Sequence, residues 1–232
     1  FQCFFTLKNI VKIYIITINT FVKGTGLKQY LQNDAFFNHK HNEINSWLKK
    51  VKGNDERTKA VSIYYLVRDG IKYDPFTLLD GAKSLSSDYC LNNKAAYCIP
   101  KASLQIALSR ACDIPARLGL ADVRNHLSTP KLDELLKNEV FTMHAYVEQF
   151  IEGEWVKSTP AFNKELCDLV KIKPLDFDGV NHSLFHQFTT DGKKHMEYLK
   201  DHGQYAVMPT AFINQNCELY YPHLKLNFSN IE

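Results

Sequence analysis

Cys98 and His144 are the two residues whose types and positions could do chemistry together. Cys98 precedes Pro100, and proline fits the first position of the helical pattern that follows. A thiol there meets free backbone N–H groups and the positive end of the helix dipole, which favour the thiolate. We therefore expect the pKa of Cys98 to lie below that of free cysteine, and the pKa of His144 to be raised by the pairing. The thiolate would then attack a carbonyl carbon.

His144 lies in a segment, residues 141–148, that alternates apolar and polar side chains and so predicts a half-buried strand. Glu152-Gly153 predicts a tight turn, after which residues 155–158 return as the second strand of a hairpin. A cysteine at a helix start with a histidine on a strand downstream is an arrangement suited to acyl transfer.

The hairpin register indicates which residues could orient the His144 ring. With Glu152-Gly153 as the turn, Ala161 pairs with His144. Thr159 and Asn163 are then its diagonal neighbours on the same face, within reach of a polar side chain. Either residue could hold the ring by a hydrogen bond.

Three amphipathic helices are expected before the strands, each from apolar residues at helical spacing. They cover residues 44–51 with a stop at Gly53, residues 60–67 with Asn54 as N-cap, and a third helix with apolar positions 104–111 that ends before Pro115.

A buried strand is expected over residues 116–121, followed by a polar loop over residues 122–126 and a short helix over residues 132–136. In that loop we expect Asp122, Arg124 and Asn125 to rim the cleft, whereas Arg117 fits either the rim or a structural ion pair.

Composition excludes several classes of function. The 232 residues carry a formal net charge of +3 with no basic block, which argues against nucleic acid as a partner. The six cysteines show no metal-ligand spacing, and neither do His182, His186 and His195 with Asp178. We therefore expect no metal, no cofactor, reduced cysteines and a cytoplasmic location.

Residues 1–25 are expected to form an N-terminal extension, and residues 26–232 a single domain. The apolar run over residues 13–22 is too short to span a bilayer, and no small-residue cleavage site follows it. A membrane partner is therefore not expected. A signal segment is the less favoured interpretation of this N-terminal run. The sequence makes no prediction of oligomeric state.

Three segments resemble the transglutaminase-like superfamily, relatives of the papain-like cysteine peptidases. They are residues 63–75 (IYYLVRDGIKYDP), residues 97–116 (YCIPKASLQIALSRACDIPA), and residues 144–148 (HAYVE) followed by Trp155-Val156. They occur in the family's order over roughly residues 60–163, and the tail looks like a bacterial subgroup. The resemblance implies an α+β, papain-like fold, with a helical N-terminal half packed on an antiparallel sheet and the nucleophile at a helix N-terminus.

The resemblance also implies site residues and an activity. Cys98 would be the nucleophile and His144 the base, while the family's third residue, an aspartate four positions after the tryptophan, is replaced here by Thr159. Asn163 is the alternative, because an amide suffices in papain-like sites. The expected enzyme is a cysteine peptidase, amidase or transglutaminase with a protein or peptide substrate. The alternative is a non-enzymatic binding module that has lost turnover along with the aspartate.

Overall fold

The structure is a computed structural model that describes residues 26–126, 128–184 and 196–228. The expected N-terminal extension lies outside these residues, as do Cys3, His186 and His195. Within the described ranges, no helix is long and apolar enough to cross a membrane.

Helices and an antiparallel sheet make up the fold, which confirms the expected mixture. The α-helices are α1 (Ile44–Leu48), α2 (Glu56–Gly70), α3 (Ser87–Asn93), α4 (Cys98–Ala111), α5 (Pro130–Leu136), α6 (Lys164–Leu169) and α7 (Thr210–Tyr220). The strands are β1 (Lys72–Tyr73), β2 (Ala95–Ala96), β3 (Ala116–Asn125), β4 (Val140–Ile151), β5 (Glu154–Ser158) and β6 (Met196–Tyr205). Short 3₁₀ segments cover Lys28–Leu31, Pro75–Leu85 and Pro222–Leu224.

The main sheet is antiparallel and has the strand order β5-β4-β3-β6. β1 and β2 form a separate parallel pair in which Tyr73 lies beside Ala96. Because Ala96 is two residues before Cys98, this small pair fixes the chain just ahead of α4.

Helix α4 lies at the centre of the molecule and contacts two apolar clusters. Ile99 and Ile106 pack into a cluster shared with the main sheet, whereas Leu104 and Leu108 pack into a second cluster formed with α1, α2 and α3. The helix is consequently buried on nearly all sides, and not on one face as the amphipathic pattern predicted.

The polar side chains of α4 are buried with partners. Lys101 donates from Nζ to the carbonyl oxygens of Arg68 and Ile71 at the end of α2. Gln105 donates to the Gln149 side chain at 3.0 Å and to Ser158 Oγ at 2.9 Å. These bonds offset the cost of burying polar groups, so a sequence with polar positions still forms a central helix.

Several local expectations need correction. α2 is capped by Asp55, whose side chain accepts from Thr58 N, and not by Asn54. α1 ends at Leu48, several residues before the stop expected at Gly53. The expected loop over residues 122–126 is mostly strand, because β3 continues to Asn125 through pairing with β6.

The hairpin register is confirmed near its turn and wrong beyond it. Ile151 pairs with Glu154, and the same register runs as far as Val147 opposite Ser158. β5 ends there because Pro160 has no N–H for the ladder and Thr159 N donates to Ser183 O instead. Ala161 therefore does not pair with His144, whose strand partner is Ala121 on β3.

Candidate active site

Cys98 is the first residue of α4. The helix therefore begins two residues before Pro100, which was expected to hold its first position. The chain before it is held by two bonds, from Asp74 N to Ala96 O at 3.0 Å and from Tyr97 N to Thr77 Oγ1 at 3.1 Å. Pro100 still lies in the first turn, where its missing N–H costs no helical hydrogen bond.

His144 directly follows a β-bulge in β4. Ala121 pairs with His144 and Val123 with Phe141, so two residues, Thr142 and Met143, face the single residue between them on β3. Met143 has a φ of 58°, in the left-handed region that a side chain rarely adopts. A bulge redirects the side chains beside it, and this one sets the direction of His144.

The bulge is held by Asp122, which was expected at the rim of the cleft, and by Tyr221, which no sequence pattern indicated. Buried Asp122 accepts from Thr142 Oγ1 at 2.7 Å, and His202 Nε2 lies 2.9 Å from the same carboxylate. Tyr221 accepts at its hydroxyl from Thr142 N at 3.0 Å and donates to Val140 O at 2.8 Å. Asp122 thus supports the bulge from inside and does not rim the cleft. The distant partners of Asp122 are His202 on β6 and Tyr220 at the end of α7, which lie too far along the chain for a local sequence pattern to reveal them.

Cys98 and His144 line one cavity of about 50 Å³. Cys98 is 7% exposed and His144 is 5% exposed, so solvent barely reaches either side chain. The structure therefore places the two residues expected to react together in the lining of one largely buried cavity.

Burial keeps both groups neutral at rest, contrary to the expectation of a low-pKa thiol. Desolvation raises the pKa of Cys98 to about 11, although backbone N–H groups of Ala145 and Ile99 act to lower it. Desolvation lowers the pKa of His144 to about 4. The helix start does favour the thiolate, but the loss of hydration outweighs it in so enclosed a place.

Thr159 lies on another side of His144, where the two residues line a second small cavity with Met196. A hydrogen bond from Thr159 N to Ser183 O at 2.9 Å holds its backbone, and the residue as a whole is 5% exposed. Among the described residues, Thr159 Oγ1 has no hydrogen-bond partner. Thr159 and His144 therefore border the same small cavity, and no hydrogen bond joins the Thr159 hydroxyl to the imidazole.

Asn163 is buried and its amide is occupied elsewhere. Its Oδ1 accepts from Tyr73 N at 3.0 Å, and its Nδ2 donates to Glu165 Oε2 at 2.9 Å. These bonds join the start of α6 to β1, and through β1 to the chain that precedes Cys98.

The other expected site residues lie outside the Cys98 cavity. Arg124 and Asn125 line a neighbouring polar groove, which shares Phe141 with that cavity. Arg117 forms a structural ion pair with Glu148, with 2.6 Å between Nε and Oε2, and covers the Trp155 ring.

The cysteines at positions 90, 98, 112, 167 and 217 are free. In the described part of the chain, no group of three or more His, Cys, Asp or Glu side chains could hold a metal ion.

A family model described as the transglutaminase-like superfamily matches residues 45–160, half of the chain. The chain belongs to this superfamily. The matched residues include Cys98, His144 and Thr159, whereas Asn163 and α7 come after them. No curated protein matches this superfamily member.

Two solved structures are similar to part of the chain. One is described as a "putative cysteine protease" from Cytophaga hutchinsonii, with 20% identity, a TM-score of 0.44, and coverage of 58% of this chain and 42% of that one. The other is described as a "putative protease" from Parabacteroides distasonis, with 15% identity, a TM-score of 0.34, and coverage of 57% and 25%. This chain therefore spans less than half the length of either structure.

Proposed function

We propose that the protein is a cysteine-dependent hydrolase or acyltransferase that acts on an amide or peptide bond, with Cys98 as nucleophile and His144 as general base. The observation that carries this proposal is the cavity that the thiol and the imidazole share. Membership of the transglutaminase-like superfamily supports a thiol-dependent reaction. We infer that the substrate is a protein or peptide.

The first step needs a proton transfer, because the Cys98 thiol is protonated at rest. His144 is neutral well above pH 4, so its ring nitrogen has a free lone pair for the thiol proton. Because the thiol holds this proton more tightly than the imidazole, the proton moves to His144 as sulfur bonds to the carbonyl carbon and the carbonyl π electrons move to oxygen. Backbone N–H groups at the start of α4 have no helical partners and would stabilise this oxyanion.

The second step breaks the carbon–nitrogen bond. The imidazolium of His144 returns its proton to the leaving amine, and a thioester remains on Cys98. Water or a second amine then attacks the thioester while His144 accepts the attacking group's proton and passes it to sulfur. Water gives a hydrolase and an amine gives a transglutaminase.

Thr159 is the residue we propose for the third position. Its hydroxyl lies in the cavity next to His144 and has no other described partner, so a small ring movement would let it hydrogen-bond to the imidazole. A threonine cannot neutralise an imidazolium, which is consistent with a His144 that is neutral between turnovers. Asn163 is the less favoured candidate because both ends of its amide are already bonded.

Acylation by an activated ester such as p-nitrophenyl acetate tests the proposal. Intact-mass and peptide analysis should find one acetyl group, on Cys98, released by hydroxylamine as a thioester is. Cys98→Ala should abolish this label, and His144→Ala should slow it by roughly 10²–10⁴-fold, the usual contribution of a general base. Cys112→Ser is the matched control, since Cys112 is the residue just after α4 and far from the cavity, and should leave the rate unchanged.

The superfamily fold without turnover is the competing possibility, favoured by the absent aspartate and the closed cavity. Acetylation of Cys98 no faster than that of the other cysteines, and unaffected by His144→Ala, would establish this alternative in place of the enzyme.

A further inference from the structure

The cavity at Cys98 has mostly apolar walls. Besides Cys98 and His144, its lining includes Leu78, Leu136, Phe141, Met143, Ile213 and Cys217, together with Thr142 and three tyrosines at positions 73, 97 and 221. No Asp, Glu, Lys or Arg is among the described residues that line it. A charged substrate group would lose its hydration there without gaining an ion pair, which is costly, whereas an alkyl group would gain contacts.

The size of the cavity limits what could enter it. Its volume of about 50 Å³ is the space open to the centre of a water-sized sphere, and one water molecule needs about 10–15 Å³ of such space, so the cavity has room for roughly four water molecules. An aliphatic side chain of up to about four carbons, such as that of leucine, fits, but a phenylalanine side chain would need the walls to move. Protein interiors resist such overpacking, so large side chains meet a real barrier.

One wall of the cavity belongs to α7. Ile213 and Cys217 are four residues apart, so they lie on one face of that helix, and both are buried. Tyr221, just after the helix, anchors this wall to β4 through its hydroxyl. α7 lies beyond residues 45–160, so this wall comes from a part of the chain that the family model does not match.

We propose that this cavity is the specificity pocket for the acyl donor, and that it takes an aliphatic side chain of up to about four carbons next to the carbonyl that Cys98 attacks. The inference rests on the proposed function, because it assumes that Cys98 is the nucleophile. Ile213 is then a residue that determines specificity by limiting the depth of the pocket.

Affinity labels test the pocket separately from turnover. N-acetylaminoacyl chloromethyl ketones would be compared with alanine, 2-aminobutyrate, leucine, phenylalanine, lysine and glutamate side chains. In each, the Cys98 sulfur bonds to the methylene carbon and chloride leaves, and intact mass measures the rate. We expect the alanine, 2-aminobutyrate and leucine reagents to react at least about tenfold faster than the phenylalanine, lysine and glutamate reagents, a ratio usual for discrimination by an apolar pocket.

Enlarging the pocket should change this order. Ile213→Ala should raise the rate of the phenylalanine reagent about tenfold relative to the alanine reagent. Should Ile213→Ala fail to fold, Ile213→Val should give a smaller change in the same direction. Leu219→Ala is the matched control, because Leu219 lies on the same helix but is 73% exposed, and the order of the reagents should not change.

Equal rates for all six reagents, or faster reaction of the large or charged ones in the unaltered protein, would overturn the pocket while leaving Cys98 as the nucleophile. A Cys98 that none of the ketones labels and that p-nitrophenyl acetate does not acylate would instead remove the proposed function.

Discussion

At the scale of single residues, burial determines the protonation states of Cys98 and His144. The thiol and the imidazole both lose hydration in the cavity, and each therefore prefers its neutral form. Reaction with a bound carbonyl then depends on transfer of a proton to His144, whereas reaction with a small alkylating agent depends on the thiolate fraction alone.

The pH profile of alkylation follows from this difference. With iodoacetamide, the rate at Cys98 should rise through an inflection near pH 11, above the ordinary value of 9.0 for a cysteine. Peptide mapping after timed labelling would measure the rate of Cys98 alkylation at each pH. The measurement is confined to the pH range in which circular dichroism shows native structure. An inflection below 9.0 would mean that the thiolate is stabilised in solution more than the enclosed site allows.

A carboxylate at position 159 should change the titration of His144. Thr159→Asp places a negative charge beside the ring, so the imidazolium is stabilised and the pKa of His144 should rise from about 4 by roughly 1–3 pH units. Thr159→Asn is the uncharged control of similar size. NMR of the ring carbons over a pH titration measures both, and identical curves for the two variants would place Thr159 too far from the imidazole to act on it.

Position 159 also shows what the sequence could and could not predict. The family resemblance selected Thr159 by its spacing from Trp155, the hairpin register alone left Thr159 and Asn163 both open, and the role of Thr159 stays a prediction. The engagement of Asn163 with Tyr73 and Glu165 was not predictable, since it depends on how α6 meets β1.

At the scale of elements, the bulge in β4 connects packing to chemistry. Tyr221→Phe removes the hydroxyl that pairs with Thr142 N and Val140 O, so one buried and one partly buried backbone group lose a partner. The free energy of unfolding should fall by about 1–3 kcal/mol, and acylation of Cys98 should slow as the bulge loosens.

Urea unfolding and the acetyl-transfer rate together test this prediction. Tyr220→Phe is the neighbouring control, because its hydroxyl makes only a 3.4 Å contact with Asp122, and its loss should cost less. Equal losses in the two variants would show that the bulge does not depend on Tyr221.

Elements with strong local patterns were predictable, and those defined by distant partners were not. α2 and the hairpin turn followed from helical spacing and from Glu152-Gly153. β6 was missed because it is an edge strand with polar residues and no alternation in burial. α7 was missed because only Ile213 and Cys217 are buried along it, too few to show a periodic pattern.

At the scale of the whole molecule, the buried imidazole links stability to pH. The pKa of His144 falls from its ordinary value of 6.5 to about 4 on folding, so between these values the unfolded chain binds the proton more tightly. The titration of His144 therefore leaves the free energy of unfolding unchanged above pH 6.5 and lowers it as the pH falls towards 4. The loss should approach about 3 kcal/mol, from 1.36 kcal/mol per pH unit.

Urea unfolding from pH 7 to pH 4 would measure this loss against His144→Gln, which cannot titrate. The variant should lose less stability over that range than the unaltered protein, and parallel curves would contradict the depressed pKa of His144.

The position of α4 between two apolar clusters has a kinetic consequence. One cluster uses the helices that precede α4, and the other uses the sheet, including β3, whose partner β6 is formed by residues far along the chain. Pairing across such a sequence separation is slow, because a long loop must close before any contact compensates for it. During refolding, Cys98 should therefore stay open to thiol reagents after the α1–α3 helices have condensed, and become protected only when the sheet closes over it.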